Sequence, residues 1–143
     1  MGRLDKLSII VYSHTFDRVH FALSTAAAAT ATNIPATLFF TMVAIRALAR
    51  DEAGEPRWKE LTHSEDGQNG SIWDKRHQTN GVAGFEELLE ACGALEVKFL
   101  VCEMGLRAAG LDEQTLRDDV PIEKGGLVTF LADAKIDGGM LCI

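Results

Sequence analysis

What most constrains this chain is the way short apolar runs alternate with helical patterns from one end to the other. Leu7-Ser8-Ile9-Ile10-Val11-Tyr12 is apolar but for Ser8 and rich in β-branched residues, as expected of a strand covered on both faces. From Phe16 to Thr32 the period becomes helical, with Val19, Leu23, Ala26 and Thr30 on one stripe, and Asn33 and Pro35 end it. Thr15 or Ser13 is the expected N-cap, and Asp17 suits the first turn. Ala36 to Thr41 reads as a second buried strand and Met42 to Arg50 as a shorter helix. Phe85, Leu88, Leu89 and Cys92 fall at i, i+3, i+4 and i+7, one face of a helix ending near Gly93. Val97 to Cys102 is a third strand that runs straight into a helix start at Glu103-Met104-Gly105-Leu106-Arg107.

The rest of the chain continues the alternation. Residues 112–118 predict a short helix capped by Asp112, and Val120 to Ile122 a short strand. Gly125-Gly126 precede a helix expected to turn Leu127, Phe130, Leu131 and Ala134 inward, and Met140 to Ile143 make a last strand. Strand and helix in regular succession imply a parallel sheet with helices on both faces, an α/β fold. With 143 residues the expectation is a single domain over 1–143. One stretch departs from the pattern. Residues 51–80 hold both tryptophans, His63, His77, several glycines and many charges with little periodicity, and read as an irregular insertion.

Composition narrows the function. Fourteen Lys+Arg against twenty-one Asp+Glu give a net charge of −7, and an acidic surface repels phosphate backbones and anionic lipid. Neither nucleic acid nor membrane is therefore expected as a direct partner. Residues 21–45 lack charge and reach the length of a bilayer span, but six Ser/Thr side chains and Asn33-Ile34-Pro35 interrupt them. They read instead as buried helix, turn and buried strand. The opening residues lack the long apolar core of a secretory leader, and three cysteines are too few for a disulfide scaffold. The expected location is cytoplasmic.

In a parallel sheet, sites form outside the carboxyl ends of the strands. Here those positions are Ser13-His14, Thr41-Met42, Cys102-Glu103 and the loop before Gly125-Gly126. Cys102 leads, because free N–H groups at a helix start stabilise a thiolate. Glu103 opposes this, and Arg107 or His14 offsets it. His14 is an accessory candidate, as general base or hydrogen-bond partner, against a simple loop-closing role. Cys92 and Cys142 read as small core residues. His63 and His77, with Glu65, Asp66 and Asp74 nearby, match no metal-ligand spacing and read as a solvated loop. No metal or cofactor is expected, and the nucleotide-binding glycine motifs and Gly-x-Ser-x-Gly are missing from the sequence.

Three stretches carry a resemblance to a known family. The first is the opening strand with His14-Thr15-Phe16-Asp17-Arg18-Val19-His20, the alanine-rich helix, and Ala36-Thr37-Leu38-Phe39-Phe40-Thr41. The second runs from Phe85-Glu86-Glu87-Leu88-Leu89 through Val97 to Cys102-Glu103-Met104-Gly105-Leu106, with Gly110-Leu111 soon after. The third is Gly125-Gly126-Leu127-Val128-Thr129-Phe130-Leu131-Ala132-Asp133-Ala134. In order and spacing these resemble the DsrE/DsrF-like family of small sulfur-handling proteins. The resemblance implies a three-layer α/β/α sandwich around five mainly parallel strands, flavodoxin-like in general architecture. It also implies a homo-oligomer (a trimer or hexamer), with Cys102 carrying a persulfide and sulfur donor or acceptor proteins as partners. Two other readings compete with this one. One is a non-catalytic oligomeric binding module that grips a partner through Trp58 and Trp73 of the 51–80 segment. The other is a thiol peroxidase, for which no resolving cysteine stands out.

Overall fold

A computed structural model describes residues 2–143. Five strands form one sheet in the order β4-β3-β2-β1-β5, with every neighbouring pair parallel. They are β1 (Leu7–Val11), β2 (Ala36–Phe40), β3 (Lys98–Cys102), β4 (Ile122–Gly125) and β5 (Gly139–Cys142). The α-helices are α1 (Phe16–Ala31), α2 (Gly70–Thr79), α3 (Phe85–Ala94), α4 (Glu103–Ala108) and α5 (Leu127–Asp133). Short 3₁₀ segments cover Met42–Leu48, Arg57–Glu60 and Glu113–Thr115. No helix among the described residues is long and apolar enough to cross a membrane.

The strand order fixes how the layers fill. The chain steps from β1 to β2, β3 and β4 in one direction, so handed crossovers place all three connections on the same face. Only the return from β4 to β5 crosses the other face. The main core accordingly lies on the first face, where Leu7, Ile9, Val11, Leu38, Phe40, Phe99 and Val101 meet Val19, Leu23 and Ala26 of α1 and Leu88, Leu89 and Cys92 of α3. The second face carries a small cluster of Phe39, Leu100, Cys102 and Phe130, with Ile10 beside it.

Residues 51–80 are more ordered than their composition suggests. They contain the Arg57–Glu60 segment and the ten-residue helix α2, whose N-cap Asn69 accepts the Ile72 N–H. This layer also closes the start of α1. Thr62 C=O accepts the Phe16 N–H at 2.9 Å, and the Asp17 carboxylate takes the N–H and hydroxyl of Ser64. Thr15 stands at the N-cap position without a side-chain bond to the helix, so a distant segment does the capping expected of Thr15 or Ser13.

The same layer overturns the idea of displayed tryptophans. Trp58 is 3% exposed, stacks on Phe85 at 4.7 Å between ring centroids, and donates Nε1–H to Glu86. Trp73 is partly buried and stacks on His63 at 3.7 Å. Glu86 also receives a two-pronged pair of bonds from Arg117, at 2.6 and 2.7 Å, while Arg117 reaches Asp119 as well. These contacts tie the 51–80 layer, α3 and the approach to β4 together.

Candidate functional site

Cys102 is at once the last residue of β3 and the N-cap of α4. Its backbone remains extended, with φ −72° and ψ 120°, and its Sγ accepts the Gly105 N–H at 3.4 Å. Sulfur thus occupies the place that a Ser, Thr or Asp oxygen takes at an ordinary helix start. A negative charge on that atom faces the positive end of the helix. The arrangement needs glycine at 105: a Cβ there would lie 2.6 Å from Met42 N and 2.9 Å from the Ile45 Cδ1. Met42, the first residue of the 3₁₀ segment after β2, takes a left-handed φ of 52°, which costs a non-glycine residue about 1–3 kcal/mol. Gly105 and Met42 shape the site; the sequence points to both, Met42 as a strand-end position and Gly105 within the Cys102-Glu103-Met104-Gly105 stretch.

The environment of Cys102 is apolar and closed. Phe39, Leu100 and Phe130 surround it, and it is 1% exposed. Its register partner is Gly125, the last residue of β4, and α5 starts two residues later with Gly126 at its N-cap. Two helices therefore spring from adjacent strand ends beside the thiol. Two clefts, of about 670 and 530 Å3, lie elsewhere, lined by Arg50, Arg57 and Gln114 in the first and by Glu86, Leu89 and Asp119 in the second.

The other two cysteines separate cleanly. Cys92 is buried against Leu23 C=O in the main core, and burial pushes its thiol up to about 12. Cys142 differs from the expected core residue: it is exposed, because β5 is an edge strand. Three strand spacings separate β5 from β3, roughly 14 Å and beyond the reach of a disulfide.

His14 and Arg107 are not gathered around the thiol. His14 is exposed in the loop after β1, two strands from β3, hence roughly 10 Å away across the sheet. It does lie where the strand order reverses, between β1 and β5, the usual place for a crevice in such sheets. Arg107 is exposed on α4. Among the described residues neither makes a hydrogen bond to Cys102. The expected inward helix face at the end of the chain also changes: Phe130 is buried, while Leu127 and Leu131 are exposed and Val128 is 82% exposed. Gly125 is the last residue of β4, and the strand lies at 122–125 rather than 120–122.

His63 and His77 are packed rather than solvated. His77 lies 4.6 Å from His20 and 5.9 Å from Phe16 between ring centroids. The nearby carboxylates are engaged elsewhere: Asp66 accepts from Trp73 Nε1, and Asp74 from the Phe85 N–H at 2.7 Å.

A five-stranded, all-parallel α/β sandwich with a cysteine capping the helix after its third strand is the class of protein these features define. Residues 3–137 match the model of the DsrE/DsrF/DrsH-like family, and the chain belongs to that family. Among solved structures it is similar to the protein of unknown function MTH1491 from Methanobacterium thermoautotrophicum. The two are 13% identical, with a TM-score of 0.62 over 96% of this chain and 98% of that one. It is also similar to the ychN protein from E. coli, at 17% identity and a TM-score of 0.57, covering 98% of this chain and 100% of that one. At such identities the likeness concerns the fold. No curated protein matches the chain.

Proposed function

We propose that this protein is a sulfur carrier that holds a persulfide on Cys102 and passes the outer sulfur to a partner protein. The observation that carries the reading is the placement of Sγ as N-cap of α4, accepting the Gly105 N–H, in a chain of a family associated with sulfur relay. In the loading step the Cys102 thiolate attacks the outer sulfur of a donor persulfide. One S–S bond forms, the donor's S–S bond breaks, and the donor leaves as a thiolate. Unloading repeats the exchange in reverse on an acceptor thiolate, so no external oxidant and no second cysteine are consumed. The helix-end N–H supports the anion before loading and the terminal sulfur's charge after it. His14 and Arg107 belong to this reading as residues that approach from the rim when a partner docks. Homo-oligomer formation and a cytoplasmic setting complete it.

The test is to incubate the protein with a persulfide donor and weigh it intact. A mass gain of one sulfur atom that disappears in Cys102→Ala supports the reading. No gain, or a gain that persists in Cys102→Ala, removes it. Sedimentation of the same sample reports the oligomeric state.

A further inference from the structure

Cys102 presents a contradiction if it exchanges sulfur: the atom that must be reached is sealed. On the crowded face of the sheet it is backed by the main core. On the other face one short element covers it. That element is α5, and its construction is unlike that of the other helices. Of its seven residues only Phe130 is buried, stacked on Phe39 at 4.9 Å and packed in the same cluster as the Cys102 side chain. By comparison α1 buries seven of its residues and α3 four.

Both ends of α5 are distinctive as well. It leaves the sheet through Gly125-Gly126, where a Cβ on Gly125 would lie 3.3 Å from the Thr129 side chain and one on Gly126 would meet nothing within 4 Å. Its last residue, Asp133, is bonded to three groups at the opposite end of the sheet. Thr37 Oγ1 donates to it at 2.8 Å, Lys98 Nζ lies at 3.3 Å, and Lys6 pairs with it too. Lys6 and Thr37 are themselves buried. A polar fastening, a single apolar anchor and a glycine pair thus hold the one helix that lies on the thiol.

We propose that α5 is a gate over Cys102, hinged at Gly125-Gly126, anchored by Phe130 and latched by Asp133 to Lys6, Thr37 and Lys98. It rests on the reading of Cys102 as the sulfur acceptor and says how that atom is reached. Opening lifts Phe130 off Phe39 and unfastens Asp133, and it leaves the main core on the other face intact. The small apolar area under α5 makes this a local, low-cost opening compared with unfolding of the whole sheet.

The three cysteines supply the experiment. The whole protein is alkylated with iodoacetamide under native conditions, and each cysteine's labelling rate is read by peptide mass spectrometry. The exposed Cys142 reports intrinsic reactivity, and Cys92 in the main core reports global unfolding. The gate requires Cys102 to label between the two. In Val19→Ala, which weakens the main core, Cys92 should label faster while Cys102 keeps its rate. Asp133→Asn should speed Cys102 by roughly tenfold, the factor for a latch worth ~1.4 kcal/mol. Gly126→Ala, which stiffens the hinge without a clash, should slow it several-fold with Cys92 unchanged. Cys102 labelling as fast as Cys142, or rising in step with Cys92 in Val19→Ala, overturns the gate. So does indifference to Gly126→Ala, an arm that holds even if Asp133→Asn fails to fold. None of these readouts involves sulfur. A Cys102 that opens yet takes no persulfide sinks the carrier and spares the gate, whereas one that takes sulfur without a separate opening does the reverse.

Discussion

The two faces of the sheet are built to different standards. One is packed by α1, α3, the 51–80 layer and α4 into a continuous core that includes Phe16, Phe40, Phe85 and Phe99. The other has a four-residue cluster under one helix. The difference follows from topology: three consecutive crossovers load one face and a single return crossover serves the other. It teaches that strand order alone can give the two sides of one sheet very different amounts of buried apolar structure. Cys102 belongs to the thin side.

The comparison can be broken by equal truncations on the two sides. Phe85→Ala removes a ring stacked on Trp58 and near Phe16, deep in a core unable to collapse around the void, and should cost about 3–5 kcal/mol. Phe130→Ala deletes the same atoms under a helix that can settle inward, and a smaller loss is expected because the void can collapse. Urea unfolding of both variants gives the two values. Equal losses would show that the faces are energetically alike.

Acid sharpens the thin side next. Burial alone would raise the Asp133 carboxyl, but its bonds from Lys6, Thr37 and Lys98 and the Lys6 charge outweigh that and hold it at about 2. The folded carboxyl thus titrates below its unfolded value of 3.8. Its contribution is complete above that value and is lost as the pH falls towards 2. Asp119, held at about 2 by its bond from Arg117, adds the same slope on the thick side. Asp133→Asn should therefore flatten part of the stability profile between pH 4 and pH 2, with the Asp119 share remaining.

The smallest effect lies in the 51–80 layer. Burial, and then the neighbouring His20, keep His77 below its ordinary value of 6.5, with Asp74 pulling the other way. The neutral ring is the folded form, so the unfolded chain takes up the proton first. Stability should decline as the pH falls through about 6.5, and His77→Phe should lessen that decline in thermal melts. A steeper decline in the variant would contradict the packing described for this ring.

Much of the thick side is legible in the sequence. β1, β2 and β3 are covered on both faces, so their sequences are apolar runs that leave little choice, and α3 shows its stripe because it packs on one broad surface. The thin side and the edges are less legible, for physical reasons. β4 carries Glu123 and Lys124 because it is an edge strand, and its charges disguised it. α5 has an apolar period, but only Phe130 has anything to pack against. Cys142 sits in an apolar tetrapeptide that the fold leaves at the sheet's border. The helix Gly70–Thr79 has a polar sequence and forms because Trp73, His77 and Asp74 find partners contributed by distant segments.

The sequence by itself determined the local facts about this protein. A buried strand ends at Cys102, a helix begins at once, and a parallel α/β fold follows from the alternation. These are legible because strand period, helix period and cap position depend on residues close along the chain. Only the tertiary structure decided that Cys102 faces the sparsely covered side, that Gly125 stands opposite it, that His14 is two strands away, and that α5 closes over the sulfur. Those facts depend on strand order and register, which are set by contacts between segments far apart in the chain.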